Sequence, residues 1–331
     1  MTQEVRNTLP PQARTIFGVP ACTNIDELSA DVAFIGFPYD HGQVVDLTGG
    51  QKWAPKFIRD YDQRKCYKYF GDSGCPEEAC GWFDYDSGEW KLRGVTMADC
   101  GDINVLPEEG ASIDKPTNCD KLTEVVRKIL ARGAFPVVIG GEHTQGSPVT
   151  RAFDKFAPLD IVYLDSHLDF TDSIEGAKIN NADPIRRISE LPFIHNITGI
   201  GITPRERPGR QGKEEYDAAV ARGLSIITPN RFRQMGAKHV VDSIPQAKNI
   251  YVTIDIDCMD CSVVPAISGR EVGGLSYLDV EQVLMGIPTR GKVVGFDVNG
   301  LIPAWDTTRR TARVVVNLIE DFLAAIFPSK K

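Results

Sequence analysis

The sequence predicts an α/β fold: a mostly parallel, eight-stranded sheet in a three-layer arrangement, with helices on both faces. Apolar runs of strand length recur at 31–37, 95–99, 135–140, 160–165, 194–202, 223–227, 250–255 and 292–298. Helical patterns lie near 121–132, 145–157, 210–222, 277–287 and 307–327. Strands and helices alternate over most of the chain, which calls for crossover connections and hence parallel neighbours buried on both sides.

Taken in order, residues 1–30 form a polar, proline-bearing arm, and residues 31–331 form a single domain. Asp31 to Phe37 is an apolar strand that ends in a Pro-Tyr-Asp-His-Gly turn. Trp82 to Trp90 resembles a hairpin turning at Asp86-Ser-Gly88. The helix near 121–132 carries apolar residues at 122, 125, 126, 129 and 130, one face of a 3.6-residue repeat. No internal repeat, linker or membrane span interrupts the pattern.

The 331 residues are 42% hydrophobic and 25% charged, as in a folded globular protein. The net charge of −8, with no basic cluster, argues against nucleic acid and anionic membranes as partners. The first thirty residues lack the basic start and apolar core of a targeting peptide, so a cytoplasmic location is expected. Eight cysteines read mainly as packed thiols. Cys258-Met-Asp-Cys261 and the looser pair Cys75 and Cys80 also have the form of redox or zinc motifs.

Ligand sites in such sheets lie beyond the carboxyl ends of the strands. His143 follows the run ending at Gly140, on a glycine-bearing turn. Asp165, His167 and Asp169 occupy every second position after the next run, and Asp255 and Asp257 repeat that alternation. Four aspartates and two histidines gathered together would repel and desolvate unless cations compensated them. Mixed nitrogen and oxygen donors suit divalent transition metals rather than magnesium or calcium.

Gly140-Gly-Glu-His-Thr144, Leu164-Asp-Ser-His-Leu-Asp169 and Thr253-Ile-Asp-Ile-Asp257 resemble, in order and separation, the three metal motifs of the ureohydrolase family of arginase, agmatinase and guanidinobutyrase. Weaker matches extend from about residue 30 to the C-terminus, at Gly36–Asp40, Ala98–Asp102, Gly295–Val298 and Pro303–Asp306. The resemblance implies an arginase-like fold and two divalent metal ions per subunit. His143 and Asp169 would complete one ion's set, His167 and Asp257 the other's, with Asp165 and Asp255 bridging. It also implies a shared hydroxide that attacks a guanidinium carbon, with Asp169 passing a proton to the departing amine, and a trimer or hexamer, homomeric or with a paralogous subunit.

The departures from the family pattern matter as much. The family loop Pro-Gly-Thr-Gly-Thr-Pro-x-x-Gly-Gly is replaced by Pro265-Ala-Ile-Ser-Gly-Arg-Glu-Val-Gly-Gly274, equal in length and altered in chemistry. Gly300 stands where the family places a guanidinium-holding glutamate, and Asn181 stands where it places a proton-shuttling histidine. An amide orients a ligand but does not titrate near neutral pH. Asp40, His41, Glu271 and Trp305 are candidate substitute substrate contacts, each also readable as a turn former, loop anion or packed aromatic.

These changes suggest a small cationic guanidino or biguanide substrate: guanidine, an N-alkylguanidine or metformin, cleaved to urea or a substituted urea such as guanylurea. Within the family that group uses nickel, whereas manganese is expected otherwise. Agmatinase or guanidinobutyrase activity, and a non-catalytic partner of an active paralogue, are the alternatives.

Overall fold

The structure is a computed structural model, and it describes residues 8–11, 14–42, 49–61, 81–106, 117–174, 176–204, 209–269 and 271–330. Among the described residues, nine strands build the main sheet: β1 (Thr8–Leu9), β2 (Val32–Phe37), β5 (Met97–Ile103), β6 (Phe135–Gly140), β7 (Leu159–Leu164), β8 (Ile194–Ile200), β9 (Ser225–Ile227), β10 (Asn249–Asp255) and β11 (Lys292–Asn299). Their order is β1-β5-β2-β6-β11-β10-β7-β8-β9, with every neighbouring pair parallel except β1 and β5. The remaining two, β3 (Trp82–Asp84) and β4 (Glu89–Lys91), form the expected hairpin.

The ninth strand corrects the expected eight. Thr8 and Leu9 pair with Ile103 and Asp102, so part of the arm closes one sheet edge. Two residues are too few to show a period in sequence, and the pairing depends on a partner some ninety positions away. Other parts of the arm are buried as well: Ile16, Phe17 and Val19 pack on one face of the sheet and Ile25 and Leu28 on the other.

Strand periodicity explains the three layers. Phe34, Val137, Ile139, Val162, Leu164, Val252, Ile254 and Phe296 feed one core, completed by the helices Tyr277–Gly286 and Arg310–Ile326. Their alternates Ala33, Ile35, Val138, Ile161, Tyr163 and Tyr251 feed the second, completed by the helix Asn118–Ala131. Each fully buried aliphatic or aromatic side chain stabilises by about 1.5–3 kcal/mol. Capping boxes start two of these helices, Thr117 with Asp120 and Ser276 with Asp279, each pair satisfying two otherwise unpaired backbone donors.

The helical pattern near 145–157 also needs correction. It resolves into a 3-10 turn at His143–Gln145, a short helix at Gly146–Thr150 and a second 3-10 stretch at Arg151–Phe156. Gly146 and Pro148 weaken the turn, and the Thr150 hydroxyl donates back to the Gly146 carbonyl at 2.8 Å, a bond that bends helices. The helices Ala54–Tyr61, Pro229–Met235 and Ala237–Ser243 fall outside the sequence pattern and are at most eight residues long.

Candidate metal centre

Strand order gathers the site. β6 and β7 are consecutive in the chain, yet β11 and β10 lie between them, so the order reverses here and a crevice opens at the carboxyl ends. His143 follows β6, Asp165 follows β7 and Asp255 ends β10. The turn carrying His143 requires glycine, because a Cβ on Gly141 would fall 1.9 Å from the Tyr39 carbonyl oxygen. Asp169 adopts a left-handed backbone with φ of 49°, a conformation that costs a non-glycine residue about 1–3 kcal/mol and recurs at functional sites.

All six expected ligands come together. Nδ1 of His143 lies 2.8 Å from Oδ2 of Asp165, 2.7 Å from Oδ2 of Asp169 and 3.9 Å from Oδ2 of Asp255. Nδ1 of His167 lies 3.3 Å from Oδ1 of Asp165 and 3.1 Å from Oδ2 of Asp257. Two groups able to hold an ion result, His143 with Asp165 and Asp255, and Asp165 with His167 and Asp257; Asp165 belongs to both. Nδ1 of His143 and Oδ2 of Asp165 are buried and aligned to hydrogen-bond with nothing, so the donor set fits a pair of cations. His167 keeps 34% of its side chain exposed, which places the opening of the crevice on its side.

The electrostatics agree. Burial raises the Asp169 carboxyl to about 7, reinforced by the charge of Asp165, and burial with the charges of Asp257 and Asp165 holds Asp255 well above the usual range. Burial alone would lower both imidazoles, but Asp165 and Asp169 beside His143, and Asp257 and Asp165 beside His167, hold them well above it. Burial opposes ionisation of Asp165, yet the two imidazoles beside it, His143 and His167, bring it below the ordinary carboxylate value. Bound cations would offset the negative charge that burial makes costly here and so would keep these carboxylates ionised.

The remaining candidates scatter. Asp40 accepts the Gly50 N–H at 2.8 Å and pairs with Lys52 at 3.4 Å, as a turn former does. His41 lies against the Tyr39 ring and lines a separate cavity of about 320 Å³ with Leu9, Lys52, Trp53 and Asp102. The Asn181 backbone N–H donates to the Gly42 carbonyl at 3.1 Å. Trp305 packs half-buried against the core. Glu271 sits nearer the ligands: its Oε2 accepts from the Thr203 hydroxyl at 3.4 Å, and the Thr203 N–H donates to the carbonyl of Ser166, beside His167. Gly300 has φ of 97°, and a Cβ there would lie 2.4 Å from Oδ1 of Asp255.

Several residues that shape the site stand inside the sequence motifs, but sequence reasoning assigned them no role. A Cβ on Gly269 would fall 2.7 Å from both Oδ2 of Asp257 and Cε1 of His167, so the altered loop lies directly on the second ligand group. Glu142, fully buried, accepts from the Gly42 N–H at 2.6 Å and the Thr144 hydroxyl at 3.0 Å. Thr253, one alternation before Asp255, touches Nε2 of His143 at 3.0 Å. Period two along β10 could have flagged Thr253; the others depend on tertiary approach. Cys258 is buried and Cys261 half-buried, both as free thiols, while Cys75 and Cys80 lie outside the described residues.

An acidic, imidazole-bearing crevice at the switch point of a parallel sheet defines a metal-dependent hydrolase class, and comparison with known proteins agrees. The family model described as the arginase family matches residues 30–325, and the chain belongs to that family of hydrolases of amidino C–N bonds. It is 30% identical over 239 residues to the mitochondrial arginase 1 of Arabidopsis thaliana, covering 70% of this chain and 66% of that one. It is 29% identical over 296 residues to the agmatinase of Bacillus anthracis, covering 89% and 91%. Among solved structures, the proclavaminate amidino hydrolase of Streptomyces clavuligerus shares the fold, with a TM-score of 0.76, 23% identity and coverage of 95% and 97%.

Proposed function

We propose that this arginase-family hydrolase cleaves a C–N bond of a small guanidino or biguanide compound of the guanidine, N-alkylguanidine or metformin type. The products are urea or a substituted urea, such as guanylurea, with ammonia or an amine. One observation carries the reading: residue 300 offers no side chain to the substrate, and its left-handed backbone, tied to the Gly141 carbonyl at 2.9 Å, directs any Cβ into Asp255. A carboxylate anchor cannot be grafted onto this backbone without displacing a metal ligand. The site therefore suits a compact cation held by fewer anionic contacts, without the long amine or amino-acid tail that a deeper anchor set would orient.

His143, Asp165, Asp169, Asp255, His167 and Asp257 hold two divalent ions, nickel for a guanidine or biguanide substrate and manganese otherwise. When bound, the ions supply Lewis-acid polarisation and lower the pKa of water toward neutrality. Asp169, 2.7 Å from His143, is placed to accept a proton and return it to the leaving amine. Asn181 orients without titrating, and Glu271 supplies an anion at the rim of the crevice. Trimeric or hexameric assembly, homomeric or with a paralogous subunit, belongs to the same reading.

Agmatinase-type activity is the second reading, favoured by the agmatinase likeness over 89% of the chain. Protein loaded with Ni2+ or with Mn2+ and assayed for urea or amine release separates the two. Turnover of guanidine, dimethylguanidine or metformin well above agmatine and guanidinobutyrate is expected. Preference for agmatine would overturn the first reading, and fewer than one bound ion per chain would overturn both.

A further inference from the structure

The six candidate ligands account for the groups that would touch the ions, but not for how His143 is made to present the correct nitrogen. An imidazole binds a metal through an unprotonated nitrogen, so the ring must carry its proton on Nε2 if Nδ1 faces the ions. Nδ1 does face the carboxylates, and Nε2 points to the Thr253 hydroxyl at 3.0 Å. A hydroxyl both donates and accepts, so this contact alone leaves the tautomer open.

The group behind Thr253 closes that freedom. Asp297 lies on β11 beside Thr253 in register, wholly buried, and the Thr253 hydroxyl reaches its Oδ1 at 2.9 Å. The same oxygen accepts from the Gln145 amide at 2.9 Å and the Asn299 amide at 3.2 Å, while the Tyr251 hydroxyl donates to Oδ2. Amide nitrogens only donate, so Oδ1 carries no proton and Thr253 must also donate to it. Its single hydrogen is then spent, and it can only accept from Nε2–H of His143. Gln145 ends the 3-10 turn that His143 begins, so the carboxylate fixes the turn as well as the proton.

We infer that Asp297 and Thr253 form a relay that locks His143 in the Nε2–H tautomer and aims its Nδ1 lone pair at one of the two metal ions. Asp297 is a positioning residue: it acts through Thr253 and His143 and touches neither ion. Outer partners of this kind typically contribute 10–100-fold in metal affinity. The inference rests on the two-ion reading, which the wild-type stoichiometry tests separately.

The test is equilibrium competition of Mn2+ against a chromophoric chelator, resolved into two binding steps, for wild type and for Thr253→Val, Thr253→Ser and Asp297→Leu. Wild type should bind two ions; if it does not, the two-ion reading fails before the relay is tested. Thr253→Val preserves side-chain shape and strand preference, removes the acceptor, and should weaken one step 10–100-fold while sparing the other. Thr253→Ser should restore it. Asp297→Leu frees Thr253 to donate to the ring and should weaken the same step; should that variant not fold, the Thr253 pair decides alone. In Zn2+-loaded protein, NMR should show a slowly exchanging imidazole N–H that Thr253→Val abolishes and Thr253→Ser keeps. Binding curves of Thr253→Val that superimpose on wild type, or equal weakening of both steps, would overturn the relay.

Discussion

Gly300 and Asp255 are in a contact that leaves no space for a carbon atom: a Cβ on the glycine would stand 2.4 Å from Oδ1 of the aspartate, on a backbone whose φ of 97° disfavours any side chain. Gly300→Ala should therefore act on the metal centre as well as on the fold. Displacement of Asp255 should reduce bound metal below wild-type stoichiometry, and the backbone strain should cost about 1–3 kcal/mol. Elemental analysis with chemical denaturation checks both. Gly300→Glu should likewise fail to produce agmatine hydrolysis, and a gain of that activity would contradict the account of this segment.

What the sequence reveals, and what it hides, divides at tertiary approach. His143, Asp165, His167, Asp169, Asp255 and Asp257 could be recognised because they stand at or just past the carboxyl ends of apolar runs, where such sheets bind ligands. Strand alternation does not aim them all, since Asp165 to Asp169 lie beyond β7, with Asp169 left-handed, and Asp257 lies in a 3-10 turn. The sheet could be recognised from the same runs, since β2, β6, β7, β10 and β11 are apolar on both faces. Asp297 behind Thr253 could not, because their contact depends on the register of β10 against β11, set by residues more than forty positions apart. Gly269 and Gly300 were visible as departures from a pattern, but the atoms they leave room for were not.

Metal loading should release protons. In the metal-free protein, burial and the Asp165 charge put the Asp169 carboxyl at about 7, and neighbouring carboxylates hold His143 and His167 above the ordinary imidazole value. All must be deprotonated to ligate, so affinity should rise with pH from 6 to 8. Titration calorimetry with Mn2+ in buffers of different ionisation enthalpy measures the release directly. A binding enthalpy that does not vary between buffers would contradict it.

Asp183 supplies a pH dependence away from the ligands. Burial raises its carboxyl to about 7, opposed by the Asn180 N–H and the Arg187 charge. Its folded-state pKa lies above the unfolded value near 4, so the folded protein binds more protons between those limits. Stability from this group is therefore present at low pH and is lost as pH rises through 4 to 7, by at most roughly 1.4 kcal/mol per unit. Asp183→Asn should flatten that slope, its advantage over wild type growing up to about pH 7 and then holding constant. Urea unfolding of the metal-free pair at pH 5, 6, 7 and 8 tests this, and parallel curves for the two proteins would refute it.

Arg59 fixes the arm edge of the sheet. Its guanidinium is 2% exposed and donates to both Asp99 oxygens at 2.8 and 2.9 Å, to Oδ1 of Asp102 at 2.6 Å and to the Gly101 carbonyl at 3.0 Å. Asp99 in turn accepts the Ile16 N–H at 2.9 Å, which draws in the segment following β1. Removing the cation leaves two buried carboxylates without compensation, so Arg59→Met should cost about 3–5 kcal/mol. Replacing all three charges with apolar residues should cost less than Arg59→Met, because the desolvation penalty then disappears with the ions. Denaturation midpoints for Arg59→Met and the triple variant Arg59→Met, Asp99→Leu, Asp102→Leu distinguish the two cases: a triple variant less stable than Arg59→Met would mean that the carboxylates stabilise the edge through their backbone hydrogen bonds more than through Arg59.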